Sequence, residues 1–391
     1  MNSLSRRKLL ALSCAALVPP VRRTQDVQPT IQGVSRAEGT AIAKLGKDFR
    51  RKFNLPGVSL AMSFRGKLKL TACFGYADKE RAIPVQTKHQ FRIASVSKPI
   101  TAVAVLKLAE QKKLSLDDTI FGQGGHLRQL FTTKLKDPTQ RALAESITIR
   151  HLLEHSGGGW TNQRGEVPMF APPALGMSHP RLITWTLENI ALRTKPGTTY
   201  AYSNFGYCLL GRVIEKVTGQ PYEQAATALV LKPVKANATH IGKHTRAGRR
   251  VNEVVYYDKY DPYGKNMDVS RMDSHGGWIS TAIDLVRFAQ SVDGFPTPPD
   301  ILNRNSINAM TTPSRGSYAF GWNTNASNNW WHTGSFNGGS SILARIHDGH
   351  CWAVLVNTRS YDKSYFAALD QFPWTVKQAV QTWGNQDLFQ L

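Results

Sequence analysis

The chain has 391 residues, of which 49 are Lys or Arg and 27 are Asp or Glu, so its formal net charge is +22. A hydrophobic fraction of 41% with 19% charged residues excludes a disordered or low-complexity polymer and allows a packed core. No apolar run after residue 21 approaches the ~18 residues that a membrane-spanning helix needs. A charge this positive indicates a polyanionic neighbour, such as nucleic acid, an anionic membrane surface or an acidic ligand.

The N-terminal segment predicts an export signal. Basic residues 6–8 precede a short apolar stretch, and the paired arginines among them suit the twin-arginine route. We assign residues 1–23 to this signal and the polar residues 24–36 to a linker. We therefore expect the protein in the periplasm or outside the cell, either free or associated with the membrane. Most of the positive charge lies beyond the signal, so the exported chain is itself basic.

Strand patterns occur at both ends of the chain. A strand-like run over 57–64, a turn at Arg65-Gly66 and an alternating run over 67–76 predict a hairpin, and two further strands over 341–346 and 351–357 precede an amphipathic helix. The long middle of the chain is rich in helices and loops. These patterns predict an α/β fold of the α+β type, in which an antiparallel sheet of N- and C-terminal strands is flanked by helices and interrupted by an inserted, mostly helical subdomain.

Ser95 and Lys98 stand immediately before a predicted apolar helix over residues 99–109. Residues one helical turn apart share a face, so Ser95 Oγ and Lys98 Nζ can meet. Burial disfavours the charged form of lysine, and a neutral lysine can accept the serine proton and so generate a nucleophile. The same Ser-x-x-Lys spacing occurs twice more in the chain, so it indicates catalysis only together with other motifs.

Two later motifs complete such a site. Tyr202 and Asn204 form the only Tyr-x-Asn of the chain and open a predicted helix. A tyrosine can relay a proton to a leaving group, and an amide can bind a substrate carbonyl. His332 then begins a run of small residues before the last strand pair, where a substrate could lie along an edge strand and backbone N–H groups could face an oxyanion.

In this order, the motifs resemble those of the penicillin-recognising serine hydrolases, which include class C β-lactamases, DD-carboxypeptidases, D-aminopeptidases and related esterases. The likeness runs through residues 40–390 and includes further segments at 149–157 and 276–285. It implies that residues 37–391 form one β-lactamase-like domain. The implied activity is cleavage of an amide or ester bond in a D-amino-acid peptide, a β-lactam or a small ester, through an acyl-enzyme and without a cofactor.

The resemblance also implies catalytic roles. Ser95 would be the acylated nucleophile, Lys98 its proton acceptor, and Tyr202 the group that shuttles protons in acylation and deacylation. The backbone N–H groups of Ser95 and Ser335 would form the oxyanion hole.

The implied substrate-binding residues are Asn204, His332, Thr333, Gly334 and Ser335. Class C β-lactamases carry lysine where this chain has His332. A histidine that is neutral near pH 7 would hold a substrate carboxylate more weakly, which puts efficient β-lactam hydrolysis in doubt.

Two alternative functions remain open. The same cleft could bind cell-wall peptides or β-lactams without turning them over. His151, Glu154 and His155 also fit the spacing of a zinc peptidase, with the histidines as ligands and the glutamate as base. No later acidic ligand is evident, so we expect these three residues to be structural and no metal to be bound.

The run over residues 232–252 has six basic residues and no acid. No nucleic-acid-binding motif accompanies it, so we expect a solvated face rather than a nucleic-acid partner. The expected partners are a small-molecule or peptide substrate, with peptidoglycan-derived peptides among the candidates, and an anionic envelope surface.

Overall fold

The structure is a computed structural model that describes residues 27–131, 134–162, 168–264 and 268–390. The predicted export signal lies outside these residues. Among the described helices, none has the length and apolar character that crossing a membrane requires.

The described residues form eleven strands: β1 (Thr30–Gln32), β2 (Gly57–Phe64), β3 (Lys67–Asp78), β4 (Ile83–Pro84), β5 (Phe91–Arg92), β6 (His240–Ile241), β7 (Trp278–Ser280), β8 (Asn323–Thr324), β9 (Trp330–Phe336), β10 (Gly339–Arg345) and β11 (His350–Val356). They also form eleven α-helices: α1 (Arg36–Phe53), α2 (Ser97–Glu110), α3 (Pro138–Glu145), α4 (Ile149–Leu153), α5 (His179–Asn189), α6 (Asn204–Thr218), α7 (Tyr222–Ala226), α8 (Asp273–Gly276), α9 (Ala282–Gln290), α10 (Arg304–Thr311) and α11 (Tyr365–Gln378).

A large antiparallel sheet joins the two ends of the chain, as predicted. Its strand order is β1-β3-β2-β11-β10-β9-β8, with β4 added to β3. The N- and C-terminal halves meet where β2 pairs with β11, for example at Leu60 and Val354. The mainly helical segment from α2 to α8 is inserted between these halves, so the predicted fold class is confirmed.

The central strands are buried along nearly their whole length because both faces of the sheet are covered. Val354 packs into one cluster with residues of α1 and α11, where Phe49 stacks on Phe372 at 4.6 Å. Its neighbour Leu355 points to the opposite face and joins the larger core that contains α2. Successive side chains on a strand alternate between faces, so a sheet buried on both sides favours apolar residues at successive positions.

Two features differ from the prediction. Residues 30–32, within the predicted linker 24–36, form edge strand β1, in which Ile31 pairs with Ala72 of β3. A second sheet, with the order β5-β7-β6, was not predicted. Strands of two or three residues are too short to display an alternating pattern, and only their distant partners reveal them.

Candidate active site

Ser95 lies in a short 3-10 turn, Ala94–Val96, directly before α2. The backbone of Ala94 has a φ of +46°, in the left-handed region that residues other than glycine rarely adopt. Ser97 Oγ donates a hydrogen bond of 2.6 Å to the Ala94 carbonyl. A strained residue held in this way is typical of functional sites, and here it precedes a serine that lines a cavity.

Lys98 is buried at the first turn of α2 and contacts three oxygen atoms. Its Nζ lies 3.0 Å from Ser95 Oγ, 2.8 Å from Asn204 Oδ1 and 2.9 Å from the His275 carbonyl. All three partners are neutral. Burial lowers the pKa of Lys98 well below its ordinary value, because the charged form loses its hydration.

The contacts of a neutral Lys98 orient its lone pair. A neutral amine has two N–H bonds and one lone pair, and the oxygens of Asn204 and His275 can only accept hydrogen bonds. These two oxygens therefore accept hydrogen bonds from the two N–H groups of Lys98. The lone pair of the amine is then free to accept a hydrogen bond from the Ser95 hydroxyl. This is the arrangement that a general base for Ser95 requires.

Tyr202 lies on the other side of the serine, immediately before α6. Its side chain interacts with that of Ser95, and the centre of its ring lies 4.8 Å from Lys98 Nζ. Burial raises the pKa of the phenol. Tyr202 is therefore protonated at neutral pH and can donate or relay a proton, but it cannot serve as the resting base.

The N-terminus of α6 holds Tyr202 and Asn204 in place. Ser203 caps the helix by accepting a hydrogen bond from the Gly206 N–H at 2.9 Å, and it donates one of 2.6 Å to the Trp160 carbonyl. The Asn204 N–H donates to Asn162 Oδ1 at 3.0 Å. The Tyr-x-Asn motif therefore projects from a fixed helix end.

Strand β9 passes closely over the nucleophile segment. A Cβ atom on Gly334 would lie 2.2 Å from the Ile93 carbonyl oxygen, so only glycine fits at this position. Ser341 Oγ, on the neighbouring strand, donates a hydrogen bond of 2.7 Å to the same oxygen. This contact brings the next residue, Ser335, to the cavity that Ser95 also lines.

His332 is 3% exposed and both of its ring nitrogens are engaged. Nδ1 lies 2.6 Å from the carbonyl of Thr333, which can only accept, so Nδ1 carries the proton. Nε2 is then the acceptor for the Tyr318 hydroxyl at 3.1 Å. Burial lowers the pKa of His332 to about 3. The imidazole is therefore neutral and turned into the protein.

A cavity of about 320 Å³ lies in front of the serine. Its lining residues come from the nucleophile turn, α6, α8, β9 and the segments beside them: Ala94, Ser95, Asn162, Phe170, Asn204, Met272, His275, Gly276, Ser335, Phe336, Asn337 and Arg359. Three of the predicted site residues line this cavity: Ser95, Asn204 and Ser335. Lys98 and Tyr202 contact Ser95. His332, Thr333 and Gly334 are not part of its described lining.

Sequence reasoning missed three site residues: His275, Tyr318 and Arg359. His275 stands in a His-x-Gly pattern like that of His332, but its contribution is a backbone carbonyl, which the pattern does not reveal. Tyr318 and Arg359 belong to no motif in the sequence.

The zinc-peptidase spacing does not produce a metal site in the described residues. Helix α4 ends at Leu153, and His155 has a φ of +56°, so His151 and His155 are not aligned on one helical face. His151 Nδ1 accepts the Thr148 N–H at 3.2 Å. His155 Nδ1 accepts the N–H of Ser203 at 3.1 Å, which places His155 behind Tyr202 as a structural residue.

The beta-lactamase family model matches residues 42–371. The chain therefore belongs to the beta-lactamase family, a family of serine hydrolases and penicillin-binding proteins, as the motifs predicted.

Individual relatives agree with this assignment. Protein flp of Staphylococcus aureus (strain MW2) is 27% identical over 329 residues, which cover 79% of this chain and 61% of the relative. The chain thus spans about three fifths of that relative's length. Among solved structures, D-amino acid amidase from Ochrobactrum anthropi SV3 matches with a TM-score of 0.69 and 23% identity, covering 88% of this chain and 98% of the amidase. EstCE1, a hydrolase with promiscuous acyltransferase activity, matches with a TM-score of 0.69 and 20% identity, covering 89% and 99%. These two structures share the fold.

Proposed function

We propose that this protein is a serine hydrolase that cleaves an amide or ester bond through an acyl-enzyme on Ser95. The observation that carries the proposal is the position of Lys98. Its Nζ is 3.0 Å from Ser95 Oγ, and both of its N–H bonds are directed to Asn204 and His275. A buried lysine with its lone pair on a serine hydroxyl has the geometry of a base that is ready to act.

Acylation follows from this geometry. Lys98 accepts the hydroxyl proton while Ser95 Oγ attacks the carbonyl carbon of the substrate. The backbone N–H groups of Ser95 and Ser335 stabilise the oxyanion, where one donor typically contributes about 2.7–4 kcal/mol. The tetrahedral intermediate then collapses and breaks the bond to the leaving group. Tyr202 gives its proton to the leaving group, and the proton held by Lys98 then returns to Tyr202, which restores the neutral lysine.

Deacylation uses the same groups in the reverse direction. Water replaces the leaving group and attacks the acyl carbonyl, while the neutral Lys98 accepts the proton of the water through Tyr202. The tetrahedral intermediate expels Ser95 Oγ, which regains a proton from Lys98. The free acid leaves, and the resting enzyme is restored.

The substrate class of this proposal is an amide or ester of a small acyl group, including D-amino-acid derivatives and β-lactams. Two structural neighbours support this class, since one is a D-amino acid amidase and another is a hydrolase with promiscuous acyltransferase activity. We also propose that the protein is exported and works near an anionic envelope, because of the arginine pair at residues 6–7 and the net charge of +22.

Turnover of a p-nitrophenyl ester, a chromogenic cephalosporin, a D-Ala-D-Ala peptide and a D-amino-acid amide tests the proposal. At least one should be hydrolysed by the wild type and not by Ser95→Ala, whereas the exposed control Ser178→Ala should keep full activity. Tight binding of these compounds without turnover would favour a non-catalytic binding protein. Hydrolysis that survives Ser95→Ala would refute a serine mechanism.

A further inference from the structure

A second cavity, of about 340 Å³, lies between the end of β3, strand β4 and residues 246–253. Among the described residues, none lines both this cavity and the one in front of Ser95. Its volume is about ten times the ~30 Å³ that one water molecule occupies in the liquid, which leaves room for a small anion and its hydration. Four arginines line it: Arg81, Arg246, Arg249 and Arg250. Three of them belong to the basic run over residues 232–252.

Two carboxylates at this cavity bind backbone groups. Asp78 and Glu253 are 7% and 4% exposed. Asp78 Oδ1 accepts the Arg81 N–H at 3.0 Å, and Glu253 Oε2 accepts the Arg250 N–H at 3.0 Å. The other oxygen of Glu253 accepts the Tyr256 hydroxyl at 2.8 Å. Each buried carboxylate therefore holds the backbone of an arginine in place rather than its guanidinium.

The guanidinium groups of Arg81 and Arg250 have no hydrogen bond or ion pair in the part of the chain that the structure describes. The guanidinium of Arg249 donates to two backbone carbonyls, at 3.2 and 2.7 Å. Arg246 differs, because it lies 3.4 Å from the carboxylate of Glu80. Three guanidinium groups beside one cavity thus keep a positive charge that no ion pair described in the structure balances. An anion in this cavity gains charge-assisted hydrogen bonds.

A buried histidine adds a neutral donor to the same lining. His89 is 8% exposed. Its Nδ1 accepts the Gln86 N–H at 2.8 Å, so Nε2 carries the proton of the neutral ring. Burial lowers the pKa of His89, so the ring is neutral at pH 7. Among the described residues, none accepts the Nε2 proton, and an oxygen of a ligand in the cavity can accept it.

We propose that this cavity binds a phosphate group, held by Arg81, Arg249 and Arg250. A carboxylate offers two oxygens in one plane, whereas a phosphate ester offers three acceptor oxygens and a charge of about −1.5 to −2 at pH 7. Guanidinium groups from two separate segments, with an N–H donor beside them, suit the larger and more highly charged anion. A free phosphate ester and a lipid headgroup present this same group. The site goes beyond the proposed function, since it does not involve Ser95.

Isothermal titration calorimetry with inorganic phosphate and with glycerol 1-phosphate, at constant ionic strength, tests the site. The wild type should bind one phosphate per chain. The double variant Arg81→Met, Arg250→Met should bind it about 10-fold or more weakly, since each change removes a charge-assisted hydrogen bond. The control double variant Arg36→Met, Arg181→Met removes the same charge from exposed positions elsewhere and should match the wild type. Circular dichroism checks that both variants are folded.

Sedimentation with lipid vesicles distinguishes the two sources of the phosphate. One set of vesicles is phosphatidylcholine alone, and the other is equal parts of phosphatidylcholine and phosphatidylglycerol. A lipid headgroup is the ligand if the wild type sediments with the phosphatidylglycerol vesicles and the variant Arg81→Met, Arg250→Met does not. A free phosphate ester is the ligand if calorimetry shows binding that depends on these arginines and the vesicles do not distinguish the two proteins.

Three results would overturn the phosphate site. The first is equal phosphate affinity in the wild type and in Arg81→Met, Arg250→Met. The second is an equal loss in the control double variant, which would show a general effect of charge. The third is the absence of binding to both the soluble phosphates and the vesicles. None of these measurements uses turnover, so the serine hydrolase proposal stands or fails separately.

Discussion

Asn204 Oδ1 lies 2.8 Å from Lys98 Nζ, although the two residues are 106 positions apart in the chain. The contact links the helix end that carries Tyr202 to the helix that carries the proposed base. Together with the His275 carbonyl, it determines which way the lone pair of Lys98 points. The geometry of the base therefore depends on three separate elements: α2, α6 and α8.

Replacement of Lys98 by methionine should abolish most of the activity. Without a base for the Ser95 hydroxyl, the rate of acylation should fall by roughly 10²–10⁴-fold. Lys98→Arg should be equally impaired, since a guanidinium stays protonated. Because burial lowers the pKa of Lys98, wild-type kcat/KM should rise with pH only until that lowered pKa is passed. Stopped-flow acylation rates from pH 5 to 9 measure both effects, with the exposed Lys113→Met as control. A rate within about threefold of the wild type in Lys98→Met would contradict this role.

Gly334→Ala should damage both stability and activity. The new Cβ would approach the Ile93 carbonyl to 2.2 Å and Ser341 Oγ to 2.4 Å, so β9 must move away from the nucleophile turn. We expect a loss of about 1–3 kcal/mol in the free energy of unfolding and a reduced kcat, because Ser335 shifts with the strand. Gly39→Ala in α1 is a matched control: its nearest neighbour atom is 4.0 Å away, and the change should be neutral or slightly stabilising. Equal urea-unfolding midpoints and equal kcat for the two variants would refute the close approach.

The buried ion pair of Arg212 with Asp273 should be a strong determinant of stability. The guanidinium lies 2.5 Å from the carboxylate, and the side chain of Arg212 is 6% exposed. Arg212→Met leaves the carboxylate buried and unpaired, which typically costs about 3–5 kcal/mol. Adding Asp273→Asn should recover part of this loss by removing the orphaned charge. Urea unfolding of the two single variants and the double variant gives the coupling free energy, and strictly additive losses would argue against a direct interaction.

Acid should destabilise the fold in part through His275. Burial lowers its pKa well below the ordinary value, so the folded state keeps it neutral while the unfolded state binds a proton below about pH 6.5. The unfolded state then binds more protons, and the free energy of unfolding falls as the pH falls. One such histidine contributes a slope of about 1.4 kcal/mol per pH unit. Chemical unfolding at pH 7, 6 and 5 should show a shallower slope for His275→Asn, which retains the carbonyl that binds Lys98. Parallel slopes for the two proteins would count against this titration.

The sheet and the helical insertion could be predicted because each carries a local pattern. The hairpin of β2 and β3 is marked by two strand-like runs on either side of the Arg65-Gly66 turn, and α2 is apolar on nearly every side because it is buried on nearly every side. The short strands β1, β5, β6 and β7 could not be predicted, since they are defined by pairing with distant segments. A periodicity cannot be seen in two or three residues.

The candidate site was predictable where a motif brings its residues together locally. Ser95 and Lys98 are one turn apart, so their contact follows from helix geometry. The orientation of His332 could not be predicted, because its burial depends on Tyr318 and on the fold around it. Arg359 was also missed, since its place beside the cavity arises from the pairing of β11 with β10 and β2.

Intact-mass spectrometry tests the central claim most directly. After treatment with a fluorophosphonate or with penicillin, the wild-type protein should gain the mass of one adduct, and peptide mapping should place it on Ser95. The Ser95→Ala variant, once circular dichroism has shown that it is folded, should gain no adduct. An undiminished adduct in Ser95→Ala, or no adduct with either reagent in the wild type, would contradict the acyl-enzyme mechanism.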